Sequence, residues 1–134
     1  METIIRWVGL DNNSQESCRI NQTSDRILVE SEILGPGLNV QYQIMLGTNW
    51  MPTYCELNGH SEDYAFHYIF QRQEDGQWIA NGHLDSSFDE CDYVDISLTP
   101  FTNSLPINNL DLPEMSVKEI SVVYFHLYKL SYVR

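Results

Sequence analysis

The sequence predicts a mainly β protein: a curled antiparallel sheet, drawn as a half-barrel or β-roll, with at most one short helical turn. Three observations predict it. Apolar residues recur at every second position in several short runs, as in Val40, Tyr42, Ile44 and Leu46. Turn dipeptides such as Asp75-Gly76 and Asn81-Gly82 separate those runs at hairpin spacing. No stretch carries a sustained helical apolar period.

The elements follow in order. Thr3–Gly9 is short, β-branched and aromatic, and a polar stretch follows it. Ile27–Leu34 stops at Gly35-Pro36-Gly37, a hairpin signal into Asn39–Leu46. Tyr54–Leu57 is a short strand that ends at Asn58-Gly59. Tyr64–Arg72 turns at Asp75-Gly76 into Gln77-Trp78-Ile79-Ala80. Tyr93–Leu98 sets Val94, Ile96 and Leu98 on one face and Asp95 and Ser97 on the other. A last strand is expected over Val117–Val133, apolar on both faces and so packed on two sides. Between these, Asp111–Lys118 can hold one helical turn, with Asp111 as N-cap and Pro113 in the first turn. The 134 residues form a single domain, 1–134.

Composition bounds the function. The net charge is −12, from 19 acidic and 7 basic side chains. That sign repels phosphate backbones, so nucleic acid is not expected as a partner. The start METIIRWVGL lacks the basic and apolar regions of a secretory leader, and no run approaches the ~18 apolar residues of a membrane span. Three cysteines without a C-x-x-C spacing, Cys18, Cys55 and Cys91, read as free thiols of a cytoplasmic protein. No metal site or cofactor is expected.

Candidate chemistry is sparse. Asp89, Glu90, Asp92 and Asp95 could serve glycoside hydrolysis or bind calcium, but their spacing matches neither, and solvated turn carboxylates are the simpler reading. His60, His67, His83 and His126 form no helical pair; His67 and His126 could meet across a sheet. A G-x-S-x-G elbow and a glycine-rich phosphate loop are both absent. Three Trp, eight Tyr and five Phe could line a concave face suited to an amphiphile, or simply fill a core. Thr99-Pro100-Phe101-Thr102-Asn103-Ser104-Leu105-Pro106-Ile107-Asn108-Asn109-Leu110 carries two prolines, which argue against a helix and for an extended, bulged edge.

That last stretch resembles the TPFTNTLPI signature of a bacterial family, the Putative glycolipid-binding family. Other positions agree in order: Trp7-Val8-Gly9-Leu10, then Glu16, Tyr42 followed by Trp50, Gly76-Gln77-Trp78, and Cys91-Asp92-Tyr93-Val94-Asp95-Ile96. The agreement runs from Trp7 to about Leu130. The resemblance implies a curled sheet similar to bacterial lipoprotein carriers, with an acyl-bearing or glycolipid-like molecule in its concave face. The pattern departs in three places. Asn108 and Asn109 stand where the family has two arginines, so a charge-assisted contact is lost there. An acidic residue expected before Trp50 is replaced around Gly47-Thr48-Asn49. Family members continue beyond the point where this chain stops, Arg134, which would leave an open edge for a homodimer.

The expectation is therefore non-catalytic binding of a hydrophobic or glycolipid-like amphiphile. Its groove residues are Trp7, Tyr42, Trp50, Phe66, Tyr68 and Trp78. Asp92, Asp95, Thr99, Pro100, Phe101, Thr102, Asn103, Leu105 and Pro106 form a motif that supports the fold. Two rival classes are a hydrolase or lyase using Asp92 and Asp95 with a strand histidine, and an interaction module that pairs through an open sheet edge.

Overall fold

Eight antiparallel strands follow one another in chain order to make one large sheet. They are β1 (Glu2–Gly9), β2 (Ser14–Gln22), β3 (Ile27–Gly35), β4 (Leu38–Leu46), β5 (Pro52–Ser61), β6 (Ala65–Arg72), β7 (Trp78–Ala80) and β8 (His83–Leu84). The sheet is not closed into a barrel, so β1 and β8 are its two edges. This computed structural model describes every residue except Asn12, Lys129 and Leu130.

Alternation decides which face is buried. On the inner face lie Glu16, Cys18 and Ile20 of β2, Val29 and Ile33 of β3, and Val40, Tyr42, Ile44 and Leu46 of β4. Leu57, Phe66, Phe70 and Trp78 continue it through β5, β6 and β7. Strand β2 was not legible as a strand because two of its four buried residues, Ser14 and Glu16, are polar.

A second sheet covers that inner face. It consists of β9 (Tyr93–Ile96), β10 (Val122–His126) and β11 (Ser131–Val133), in the order β11-β10-β9. Strands β9 and β10 run parallel, so a long crossover must join them, whereas β10 and β11 are antiparallel. Phe125 on β10 sits 5.0 Å from Phe70 and 6.2 Å from Tyr68, ring centre to ring centre. Tyr132 on β11 lies 5.0 Å from both Tyr68 and Phe70. The chain's own C-terminal part thus fills the concavity of the large sheet.

Four local expectations need correction. The strand expected over Tyr54–Leu57 runs through Asn58-Gly59 to Ser61. Gly59 is there for clearance: a Cβ would meet the Asn39 carbonyl oxygen at 2.5 Å. The segment Thr99–Leu110 is not extended; it forms a 3-10 turn over Phe101–Asn103 and a short helix, α1 (Ser104–Asn109). Pro106 is third in α1, within the first turn, where a helix needs no N–H donor. Asp111–Lys118 holds no helical turn, only a tight turn closed by Ser116 N–H to the Pro113 carbonyl at 3.1 Å. The expected last strand, Val117–Val133, is instead two strands, β10 and β11; the part of it at Lys129–Leu130 lies outside the described residues. The Gly35–Leu38 hairpin forms as expected, with Gly37 at φ +64° in its turn.

Candidate functional site

The six aromatic residues assigned to a groove are distributed over the inner side of the sheet and one turn. Tyr42, Phe66 and Trp78 are buried in the core. The Trp78 indole N–H donates to the Cys91 carbonyl at 2.8 Å, so the polar edge of a fully buried ring is satisfied. Tyr68 is half-buried between Phe66, at 5.2 Å, and the rings of the second sheet. Trp7 is half-buried on β1, opposite Glu16. Trp50 lies in the β4–β5 turn, 6.3 Å from Phe101, at φ +68°. A bulky residue in the left-handed region is strained, so packing must hold it there.

A buried polar network crosses the same face. Tyr42 donates to Glu16 Oε2 at 2.5 Å and Ser31 donates to the same oxygen at 2.6 Å. The Tyr42 hydroxyl also lies 3.3 Å from Thr99 Oγ1. Glu16 Oε1 is buried with no partner among the described residues. Burial and then the Glu16 charge push the neighbouring Cys18 thiol up from 9.0 to about 11. The Tyr42 hydroxyl is raised well above 10.0, first by burial and then by Glu16. All three cysteines are free and buried.

The motif residues fasten β9 and the crossover that follows it. Asp92 accepts from Arg72 at 2.7 Å, and the Arg72 guanidinium lies 5.7 Å over the Trp78 ring. Asp95 accepts from the Thr102 hydroxyl at 2.9 Å. Thr99 Oγ1 accepts from the Phe101 N–H at 3.1 Å. Phe101, Thr102 and Leu105 are buried, Pro106 is half-buried, and Pro100 and Asn103 face out. Where arginines were expected, Asn108 donates to the Ser104 carbonyl, while Asn109 donates to the Asn49 carbonyl at 2.8 Å and accepts from Tyr93. Asn109 thereby ties the end of α1 to the β4–β5 turn.

The outer face of the large sheet carries two open grooves that the sequence reading did not anticipate. The first has a volume of about 530 Å³ and lies across β1–β5. Its polar side chains are Arg6, Ser17, Arg19, Glu30, Glu32, Gln41, Gln43, Glu56 and Asn58; Ser31 and Tyr42 also border it, but their hydroxyls are bonded to Glu16 on the inner face. Pairing sets them in two cross-strand rows, Arg19–Glu30–Gln43–Glu56 and Glu32–Gln41–Asn58. Most of these groups point to solvent; Gln41 makes a long contact to Glu32 at 3.4 Å. Glu56 is fixed from both sides. Tyr54 donates to its Oε1 at 2.8 Å, and His67 pairs with Oε2. The His67 contact, and then the Tyr54 contact, hold this carboxyl below its ordinary 4.5. His67 also borders the second groove, of about 450 Å³, with Ile69, Gln71, Ile79, Asn81 and Gly82. The signal for these grooves is the outward half of each alternating strand, as at Asn39, Gln41 and Gln43.

His67 therefore faces outward, on the side of the large sheet away from β10, where His126 sits 6.0 Å from Tyr124. Among the described residues no group of three or more His, Cys, Asp or Glu could hold a metal ion. No described helix is long and apolar enough to cross a membrane.

The fold and surface define a mainly β protein whose large sheet is packed on one side by its own chain and grooved on the other. The chain belongs to the family described as Putative glycolipid-binding, whose profile matches residues 4–134. Its fold is similar to the crystal structure of a DUF1089 family protein from Pseudomonas aeruginosa. The two share 23% identity at a TM-score of 0.78, over 98% of this chain and 74% of the other. No curated protein matches the chain.

Proposed function

We propose that this protein binds a glycolipid without catalysis, and that the sugar lies in the outer groove across β1–β5. One observation carries the reading: the inner face is occupied by the chain's own side chains, while the outer face holds an open polar groove of about 530 Å³. In the concave face, Tyr42, Phe66 and Trp78 are committed to contacts within the chain. The outer groove offers what a sugar needs. Each sugar hydroxyl donates once and accepts twice. The amides of Gln41, Gln43 and Asn58 do both, Glu30, Glu32 and Glu56 accept, and Arg6 and Arg19 donate. Mixed charges within the groove, on a chain of net charge −12, favour a neutral saccharide over an anionic one. The family description points to the same ligand class.

The non-catalytic part of the reading rests on the carboxylates. Asp92 is engaged by Arg72, which ties the start of β9 to β6, and Asp95 by Thr102, which holds the crossover. Titration calorimetry with short, neutral alkyl glucosides tests the proposal. Gln43→Ala removes one half-buried amide of the groove and should weaken binding by about fivefold. Mass spectrometry of the mixture should recover the glycoside intact. Unchanged affinity in a Gln41→Ala/Gln43→Ala protein would overturn the groove assignment, and released sugar would overturn the non-catalytic one.

A further inference from the structure

We propose that the outer face is a two-part site, in which the second groove takes the aliphatic portion of the ligand whose sugar occupies the first. The inference rests on the headgroup reading above and adds the seat and direction of the chain. The two grooves lie on the same face and meet at the Glu56–His67 pair, since Glu56 lines the first and His67 the second. Their chemistry changes sharply across that pair. On β2–β5 the side chains are amide, carboxylate and guanidinium. Beyond it the second groove is walled by Ile69 and Ile79 with the uncharged Gln71, Asn81 and Gly82, and Leu84, on the adjoining edge strand, is the direct cross-strand partner of Ile79.

Leu84 is 60% exposed on a two-residue edge strand, where a polar residue would cost the fold nothing. Its neighbour Ile79 is half-buried and forms part of the groove wall. From β6 to β8 is two strand spacings, roughly 10 Å, which suits an extended alkyl chain of about eight carbons. The Tyr54–Glu56–His67 contacts fix the junction, so a ligand crossing it would place its glycosidic linkage beside Glu56. The occupant is thus one molecule, a neutral glycoside with its chain laid across β6–β8. The charge-poor strip gives an anionic or cationic tail no partner.

The test compares ethyl and octyl glucoside, each below its micelle-forming concentration, on wild type, Leu84→Ser and Ile79→Thr/Leu84→Ser. Wild type should bind the octyl compound at least about tenfold more tightly than the ethyl compound, because apolar area is removed from water. In the double variant that advantage should vanish while ethyl glucoside affinity stays the same. Leu84→Ser changes an exposed side chain and should lose part of the advantage without risk to folding. Equal affinity for the two compounds in wild type would overturn the two-part site and leave the headgroup reading standing. An octyl advantage that survives in the double variant would overturn it too, by placing the chain elsewhere. No binding of either compound would overturn both readings.

Discussion

Removing the Tyr42 hydroxyl separates support of the fold from recognition of a ligand. Tyr42→Phe keeps the ring, which fills space among buried neighbours, and deletes the donor to Glu16 Oε2 at 2.5 Å. Ser31, at 2.6 Å, is then the remaining donor shown to that carboxyl, since Oε1 has no partner among the described residues. Hydrogen bonds to charged groups contribute about 1.5–3 kcal/mol, and a buried acceptor left short of partners adds to the cost. The expected loss is therefore about 2–3 kcal/mol. For a chain of this size that is a fall in Tm of roughly 7–10 °C. Urea unfolding followed by tryptophan fluorescence gives the free energy, and a double-mutant cycle with Glu16→Leu, which removes the acceptor, measures the coupling of the pair. The coupling should be about 1 kcal/mol or more. Glucoside affinity should not change, because the hydroxyl points away from the outer groove. A loss below about 0.5 kcal/mol, or strictly additive substitutions, would refute the claim that this network fastens Thr99 and the crossover to the sheet.

Burial raises the Cys18 thiol from 9.0 to about 11, so the native state keeps a proton that the unfolded chain releases. Stability from this group is full below about pH 9 and is lost as pH rises toward 11, so urea midpoints should fall over that window. The buried Cys18 and Cys55 should resist a thiol-titrating reagent near neutral pH until denaturant is added; fast labelling of native protein would contradict their burial. Trp78→Phe leaves the Cys91 carbonyl without its donor and opens space, for a loss of about 2–3 kcal/mol by chemical denaturation. Arg72→Ala removes the Asp92 ion pair and the contact over Trp78; because Asp92 is 52% exposed, the loss should be only about 1 kcal/mol.

Alternating runs such as Val40–Leu46, and turns such as Asp75-Gly76, are local signals, so strands and hairpins could be read without knowing what they pack against. Strand β2 escaped because its inward side chains include Glu16 and Ser14, whose burial makes sense only once Tyr42 and Ser31 are beside them. The helix at Ser104–Asn109 escaped for a different reason. Two prolines in twelve residues argue against a helix by type alone, although one precedes the helix and the other falls within its first turn. The aromatic residues were identified as important, yet a ring that lines a groove and a ring that fills a core have the same sequence signature.

The sequence by itself determined the fold class, the strand spacing, the acidic charge and, through the run from Thr99 to Leu110, the family. Tertiary structure decided which side of the sheet was free. Period-two alternation divides each strand into two faces but cannot say which face another element will cover. Here the parallel pairing of β9 and β10 brings Phe125 and Tyr132 down onto Phe70, and that contact seals the inner face. It leaves the outward half of each strand of the large sheet uncovered, and with it the surface on which both open grooves lie.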